Sequence, residues 1–354
     1  MRKYVMFQLL VIGGASSDIL HLEHRTVASA GGAGGAGLYT AMAECRGSSR
    51  VSLFAPRPDP CPEPLKLVLG LLTEWLGPVV SPEWLPQFEI SYRSGTTDYL
   101  KATYGAIGML SPTMLPTDLS KYAHVHVTQL GDVTRQLSFI KTCRERGAKQ
   151  ISAGTGLMFV NTQLQEIRAV IQQSNYFLMN LLEAKAVFVS IEFVEIAPEK
   201  VLYITLGKLS AYVIQGSAST LVPAISATEL DTSGAGDAFC GATLAYLLQG
   251  EHPILAARHD GPVVAAMIAQ VGPSALSLPD PPPNLMLEPS VRVSDRQVRK
   301  LASRISALSQ AQPFSYVTPL LPLVGHHKAL AYFLLRQFSN LVFGRIGTIA
   351  MTNH

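Results

Sequence analysis

Apolar runs of strand length alternate with segments of helical length over the first 280 or so residues. The runs are VMFQLLVI (5–12), RVSLFA (50–55), AHVHVTQL (123–130), AKQIS (148–152), NYFLMN (175–180) and EKVLYITLG (199–207). Runs apolar on both sides of the pleat are what parallel strands need when helices cover both faces of their sheet. The alternation therefore predicts an α/β fold with a doubly wound, mainly parallel sheet, helices on both faces and right-handed crossovers. Two segments depart from it: residues 15–31, and FEISYRSGTTDYLKATYG from Phe88 to Gly105. The second alternates apolar and polar positions and reads as a hairpin with one solvated face. Together the two are expected to form a small β sheet beside the main one, where a lid would sit (15–31 and 88–105).

The N-terminal MRKYVMFQLLVIGGASSD has the outline of a secretory signal, with two basic residues before an apolar run that ends in small residues. Its Val, Ile, Leu and Phe content and its break at Gly13-Gly14 favour a first core strand. No segment reaches the roughly 18 uninterrupted apolar residues of a membrane span; ALAYFLLRQFSNLVFG comes closest and is interrupted by Arg336. Past about residue 285 the alternation stops. A basic amphipathic stretch, VSDRQVRKLASRISALS, opens a tail with eight Lys/Arg against two Asp/Glu from Leu285 onward. The expected organisation is a catalytic-type domain over 1–285 and a helical appendage over 286–354.

Composition narrows the function classes. With 48% hydrophobic and 15% charged residues in 354, the chain is globular rather than disordered. A net charge of +3 without a long Lys/Arg run offers no footprint for nucleic acid. Cys45, Cys61, Cys143 and Cys240 lie far apart without C-x-x-C spacing, so neither a zinc site nor a disulfide framework is indicated, and a cytoplasmic location is expected.

Chemistry concentrates in DTSGAGDAFCGATLAYLLQG, residues 231–250. AFCGATLAYLL is helix-forming and apolar on one face, so Gly234, Ala235 and Gly236 form the turn before a helix. Unpaired amides at a helix start, with the helix dipole behind them, attract anions, and small residues let a phosphate approach the backbone. Asp237 in the first turn is either a favourable N-terminal charge or a general base beside the phosphate, taking a proton from an acceptor hydroxyl. Asp231 reads as a turn or cap residue.

DTSGAGDAFCGA resembles the signature of the ribokinase-like (PfkB) carbohydrate kinases, and the resemblance runs over roughly residues 5–280. It implies a kinase that uses ATP and Mg²⁺, a small-molecule sugar-like substrate, no nucleic acid or membrane partner, and a possible homodimer through the lid. By the resemblance, Gly234, Ala235, Gly236 and Asp237 are the catalytic corner. Asn180 and Glu183 in MNLLEA match its N-x-x-E pattern for Mg²⁺ and its waters. Thr205 and Gly207 match its T-x-G nucleotide turn, and the segment reaching Gly272 borders the adenine. Asp18 matches the acceptor-binding aspartate. Gly34 and Gly35 open the GGAGLYTA segment that floors the sugar pocket. Mg²⁺ keeps several waters, so one carboxylate and one amide suffice beside a triphosphate; an ordinary helix-start pair is the other reading of Asn180 and Glu183.

The chain departs from the family in three places: Tyr39 stands where an Asn holds sugar hydroxyls, Ser210 replaces the second glycine of the nucleotide turn, and ISAGTG lacks an aspartate. An aromatic at 39 leaves a nucleoside or cyclitol acceptor open beside ordinary sugars, and a non-catalytic ligand-binding module is the alternative from another class. The formal G-x-G-x-x-G at Gly32–Gly37 lies some eighteen residues beyond the first strand, so a dinucleotide site is not expected. His124 and His126 share a strand face and need only a hydrogen-bonding partner, and Cys240 reads as a buried helix-face cysteine.

Overall fold

The computed structural model describes residues 8–21, 31–46, 50–93, 96–188, 191 and 194–277. The expected appendage over 286–354 lies outside these, as do residues 22–30 of the expected lid. In chain order the first strands are β1 (Gln8–Ile12), β2 (Ser16–His21), β3 (Gly31–Gly34), β4 (Arg50–Phe54), β5 (Arg57–Pro58), β6 (Glu74–Leu76), β7 (Val79–Val80), β8 (Gln87–Arg93) and β9 (Thr96–Thr103). They are followed by β10 (His124–Val127), β11 (Ile151–Gly154), β12 (Tyr176–Asn180), β13 (Val201–Thr205), β14 (Ser210–Gln215) and β15 (Ala218–Pro223). The helices are α1 (Ala36–Cys45), α2 (Glu63–Leu69), α3 (Val133–Glu145), α4 (Leu157–Thr162), α5 (Leu164–Gln173), α6 (Leu181–Val187), α7 (Ala235–Leu248), α8 (Pro253–His259) and α9 (Gly261–Ile268).

Nine strands form the main sheet in the order β15-β14-β13-β12-β11-β10-β1-β4-β6. All pairings from β13 to β6 are parallel, and only β14 and β15 run against their neighbours. Leu9 through Ile12 of β1 are all buried, as a strand with helices on both of its faces must be. The chain runs outward from β1 in both directions, so the strand order reverses between β1 and β10. In open α/β sheets the crevice beyond the carboxyl ends of strands at such a reversal is where ligands bind.

The two departures from the alternation meet in a second sheet of order β3-β2-β8-β9, with β2 parallel to β8 and the hairpin β8-β9 antiparallel. A shift of register between Glu89 and Ile90 interrupts that hairpin. Gly32–Gly37 straddles β3 of this small sheet and the start of α1, not the end of a main-sheet strand. The strand-turn-helix unit of a dinucleotide site is therefore not formed there.

Helix α7 differs from its sequence reading. One apolar face was expected, yet Ala238 through Ala245 are buried without a break, which is the pattern of a helix packed on all sides. Its Ala238 and Ala242 join a core with β1, β4, α1 and α9, while Phe239 and Leu244 join one with β12, β13, β14 and α8. It crosses α1 so closely that a Cβ on Gly241 would overlap the Thr40 carbonyl. On its other side α1 meets the turn after β1: a Cβ on Gly37 would lie 2.8 Å from the Gly13 Cα. Helix α9, with Pro262 in its first turn, ends at Ile268, and a short 3-10 helix follows at Gly272–Ser277.

Glu44 of α1 is fully buried and neither carboxyl oxygen has a hydrogen-bond partner among the described residues. Burial pushes its carboxyl well above the usual carboxylate range, so it is neutral in the fold and ionised in the unfolded chain near neutral pH. A folded-state value above the unfolded one contributes stability that is lost as pH rises past the ordinary carboxylate value. Glu44→Gln removes the titration and keeps the shape. In chemical denaturation the variant is expected to match the parent near pH 4.5 and to exceed it by at least about 1 kcal/mol at pH 8.

Candidate active site

The start of α7 is built by a left-handed turn. Gly234 is its N-cap at φ 68°, a conformation that suits glycine, and the ring of Tyr39 lies directly over its Cα where a side chain would collide. The Ala235 N–H donates to the Thr232 carbonyl at 3.2 Å and the Ala238 N–H to the Gly234 carbonyl at 2.7 Å. The N–H groups of Gly236 and Asp237 have no such partner among the described residues. Nothing lies within 4 Å of the point a Cβ on Gly236 would occupy. Two amide donors at the start of a fourteen-residue helix are thus unpaired among the described residues, with open space beside the Gly236 Cα.

Asp237 is half-buried on the first turn of α7, and loss of water around its carboxyl raises it to about 7. Its backbone carbonyl receives the Thr40 hydroxyl at 3.3 Å, a second tie between α7 and α1. Asp231 is a structural clamp: one carboxylate oxygen accepts the Ser233 N–H at 2.9 Å and the other the Gly272 N–H at 2.8 Å. The turn is thereby fixed to the segment that was expected to border a nucleotide.

Asn180 and Glu183 form a reciprocal cap on α6. The Asn180 side chain accepts the Glu183 N–H at 3.0 Å, while Glu183 accepts the Asn180 N–H at 2.8 Å and its amide at 2.9 Å. Both readings of the pair survive, because capping leaves the Glu183 carboxyl beside Asp237. Burial foremost, then the charge of Asp237, raises Glu183 to about 7 against the hydrogen bonds from Asn180 and the Leu157 N–H. Neither acid has a salt-bridge partner among the described residues. Thr205 at the end of β13 lies opposite Asn180 in register, and the next turn passes through Gly207 at φ 62° with nothing near its Cα. Ser210 accepts the Leu206 N–H through its carbonyl at 2.8 Å and so closes that turn.

Across the mouth, Asp18 of β2 is buried and raised to about 6 by desolvation, offset by the Ser16 hydroxyl and the Phe88 N–H, with the charge of Asp231 adding to the rise. Gly34 makes room for it, since a Cβ there would overlap the Asp18 carboxylate. Gly35, at φ 99°, turns the chain into α1 against the Gly14 carbonyl and accepts the Tyr39 N–H at 3.0 Å. The fold thus gathers Asp18, Gly34, Gly35, Tyr39, Gly234, Asp231 and Gly272 on one side, and Asp237, Glu183, Asn180 and Thr205 on the other. The two histidines stay apart as expected: His124 and His126 share the Ser152 hydroxyl at 2.7 Å each, and burial holds both at about 3, hence neutral. Cys240 is buried 3.7 Å from the His126 ring.

Sequence reasoning missed a third group. Phe88 meets Tyr104 edge to face at 5.7 Å, the Tyr104 hydroxyl donates to the Met158 sulfur at 2.9 Å, and Gln129 stands at the end of β10 against Gly156. Their one signal was position, since Gln129 and Gly156 follow the carboxyl ends of parallel strands. Among the described residues no three His, Cys, Asp or Glu side chains gather into a metal site, and no helix is long and apolar enough to cross a membrane.

Residues 116–281 match the model of the pfkB family carbohydrate kinases. No curated protein matches the chain. Solved structures of similar fold include a Burkholderia thailandensis nucleoside kinase in complex with inosine, at 20% identity and TM-score 0.65, covering 77% of this chain and 94% of that one. A Cryptococcus neoformans ribokinase in complex with ADP is similar at 18% identity and TM-score 0.64 over 78% and 97%. A ribokinase II from E. coli, described as a complex with ATP and magnesium, is similar at 14% and 0.62 over 77% and 96%. Identities this low speak for the fold, while the family model covers the stretch that holds β10 to α9 and the turn at Gly234. Over residues 116–281 the chain is thus similar to the pfkB family carbohydrate kinases, and its fold is that of the ribokinase-like kinase structures.

Proposed function

We propose that the protein is an ATP-dependent phosphotransferase that phosphorylates a hydroxyl of a sugar or sugar-like alcohol, with Asp237 as general base and the first amides of α7 as the anion hole. One observation carries this reading: a carboxyl raised to about 7 stands beside two helix-start amides that have no partner among the described residues, with open space at the Gly236 Cα. The residues fit a nucleotide and its metal. Gly207 and Gly236 leave a cradle that side chains would fill, and Thr205 and Gly272 flank it. Glu183 and Asp237 are two carboxyls without a cation, the donor set that a hydrated magnesium ion on a triphosphate accepts, with Asn180 oriented by the same cap. Bound ATP with its magnesium supplies the phosphoryl group and the positive charge that eases its transfer.

The chain's own residues do the rest. Asp237, ionised, takes the proton from the acceptor hydroxyl, and its value near neutrality suits it to hold and then release that proton. The N–H groups of Gly236 and Asp237 face the charge that builds on the transferring group, a contribution on the order of 100-fold per donor. Asp18 accepts hydrogen bonds from the acceptor's other hydroxyls and is itself oriented by the Phe88 N–H, so the small sheet carries part of the acceptor site. The same sheet is placed to exclude water as a lid.

Tyr39 over Gly234 favours a second reading, a module that binds a ligand or nucleotide without turnover, because the ring takes the place of a hydroxyl-binding amide. Release of ADP across a panel of sugars, inositols and nucleosides separates the two: a kinase releases it with at least one acceptor, a module with none.

Asp237→Asn is expected to lower kcat by about 100- to 10,000-fold while nucleotide binding by calorimetry stays within a few-fold of the parent. Unimpaired turnover removes the base assignment. Because the base works ionised and its folded-state value is raised, activity is lost as pH falls through about 7, not through the ordinary range near 4. A kcat/KM profile measured from pH 5 to 9 is expected to show this acid limb, which belongs to the Asp237 and Glu183 pair together.

A further inference from the structure

We infer that Tyr104, Met158 and Gln129 form the face that selects the acceptor, and that the acceptor is an alcohol carrying a flat heteroaromatic ring with an N–H edge, a nucleoside-like molecule rather than a free sugar. The inference rests on the kinase reading and deepens it at the same mouth.

The placement follows from a closed circuit of contacts. Asp18 receives the Phe88 N–H, the Phe88 ring meets Tyr104, and Tyr104 reaches Met158. The Leu157 N–H, next in the chain to Met158, bonds Glu183, whose carboxyl feels the charge of Asp237. Thr40 joins Asp237 back to α1, where Tyr39 covers Gly234. The acceptor aspartate and the base therefore stand at two points of one rim, and the arc between them is aromatic and thioether.

Tyr104 is fixed in its plane. Phe88 abuts it at an interplanar angle of 86°, and its ring edge lies 3.4 Å from where a Cβ on Gly131 would stand. Its hydroxyl is spent on a sulfur, a weak acceptor that a better partner displaces at little cost. Leu157 and Met158 are 39% and 56% exposed, an apolar ledge beside a site for a polar substrate. A free sugar bears hydroxyls all round, and those facing this arc lose water without gaining a partner. A flat ring stacks there at no such cost.

Polar atoms at the same place say which edge that ring has. The Gln129 Oε1 is shielded from water with no hydrogen-bond partner among the described residues, and so is the Thr155 hydroxyl on the neighbouring strand end. Gly156 gives the amide its space, since a Cβ there would lie 2.8 Å from Oε1. Gln129 follows β10, at the strand-order reversal where the crevice opens. An acceptor atom left unpaired at that point is complementary to a ring N–H or amino group.

The test is steady-state kinetics and thermal shift of the full chain with adenosine, inosine and cytidine against ribose, fructose and myo-inositol. ADP release is expected with a nucleoside at a KM at least about tenfold below that of any free sugar. Gln129→Leu and Tyr104→Ala are expected to raise the nucleoside KM about tenfold or more with kcat changed less, and Tyr104→Phe to retain most of the affinity. Turnover confined to free sugars, or an equal effect of both variants on every acceptor, overturns the subsite and leaves the kinase standing. Nucleoside-induced thermal shifts that these variants abolish, with no ADP released, support the subsite and overturn the kinase. No response to any nucleoside overturns the subsite. An unliganded melting temperature like the parent's certifies that each variant is folded.

Discussion

A helix that is apolar on every side has nowhere to go but the interior, and α7 is such a helix. Burying it drives its first turn into the crevice at the carboxyl ends of the parallel strands, with two backbone N–H groups that no acceptor among the described residues meets. Everything else at the mouth is arranged around that constraint. Gly241 and Gly37 let α1 pack close enough to bring Tyr39 over Gly234, and Asp231 ties the preceding loop to Gly272. Asp237 is then desolvated in place, because the burial that fixes the helix also strips water from its carboxyl.

Several acids share this region with no ion-pair partner among the described residues: Asp18, Glu183 and Asp237 lie at raised values, and Glu44 and Asp260 are fully buried and raised further. Asp260 is partnered by the Thr243 hydroxyl at 2.5 Å, whereas Glu44 has no partner among the described residues. A fold that carries such strain locally is compensated elsewhere by its continuous apolar core. Asp18 and Glu183 differ from Glu44 in receiving hydrogen bonds, from the Phe88 N–H and from Asn180.

Much of this was legible in the sequence for a physical reason. The six apolar runs are strands because each is long enough for a sheet and buried on both faces, and all six appear in the main sheet. The glycines and aspartates of 231–237 were legible because a turn before a helix leaves few residue choices. Tyr104, Met158 and Gln129 were not, since each is ordinary in its own segment and acquires meaning only when the segments that follow β9, β10 and β11 are brought together. The two sides of Asn180 and Glu183 were also beyond the sequence: a helix cap and a carboxyl beside Asp237 use the same two residues, and only the fold brings Asp237 near them.

The central claim is that open amides at the start of α7 receive an anion beside Asp237, and Gly236 tests it most directly. Space in front of its Cα is empty and its backbone is helical, so Gly236→Val adds a side chain without strain. The account predicts a variant with the parent's melting temperature, a phosphate-bearing nucleotide bound far more weakly and no ADP release. A Gly236→Val protein that binds ATP and turns over like the parent would contradict it.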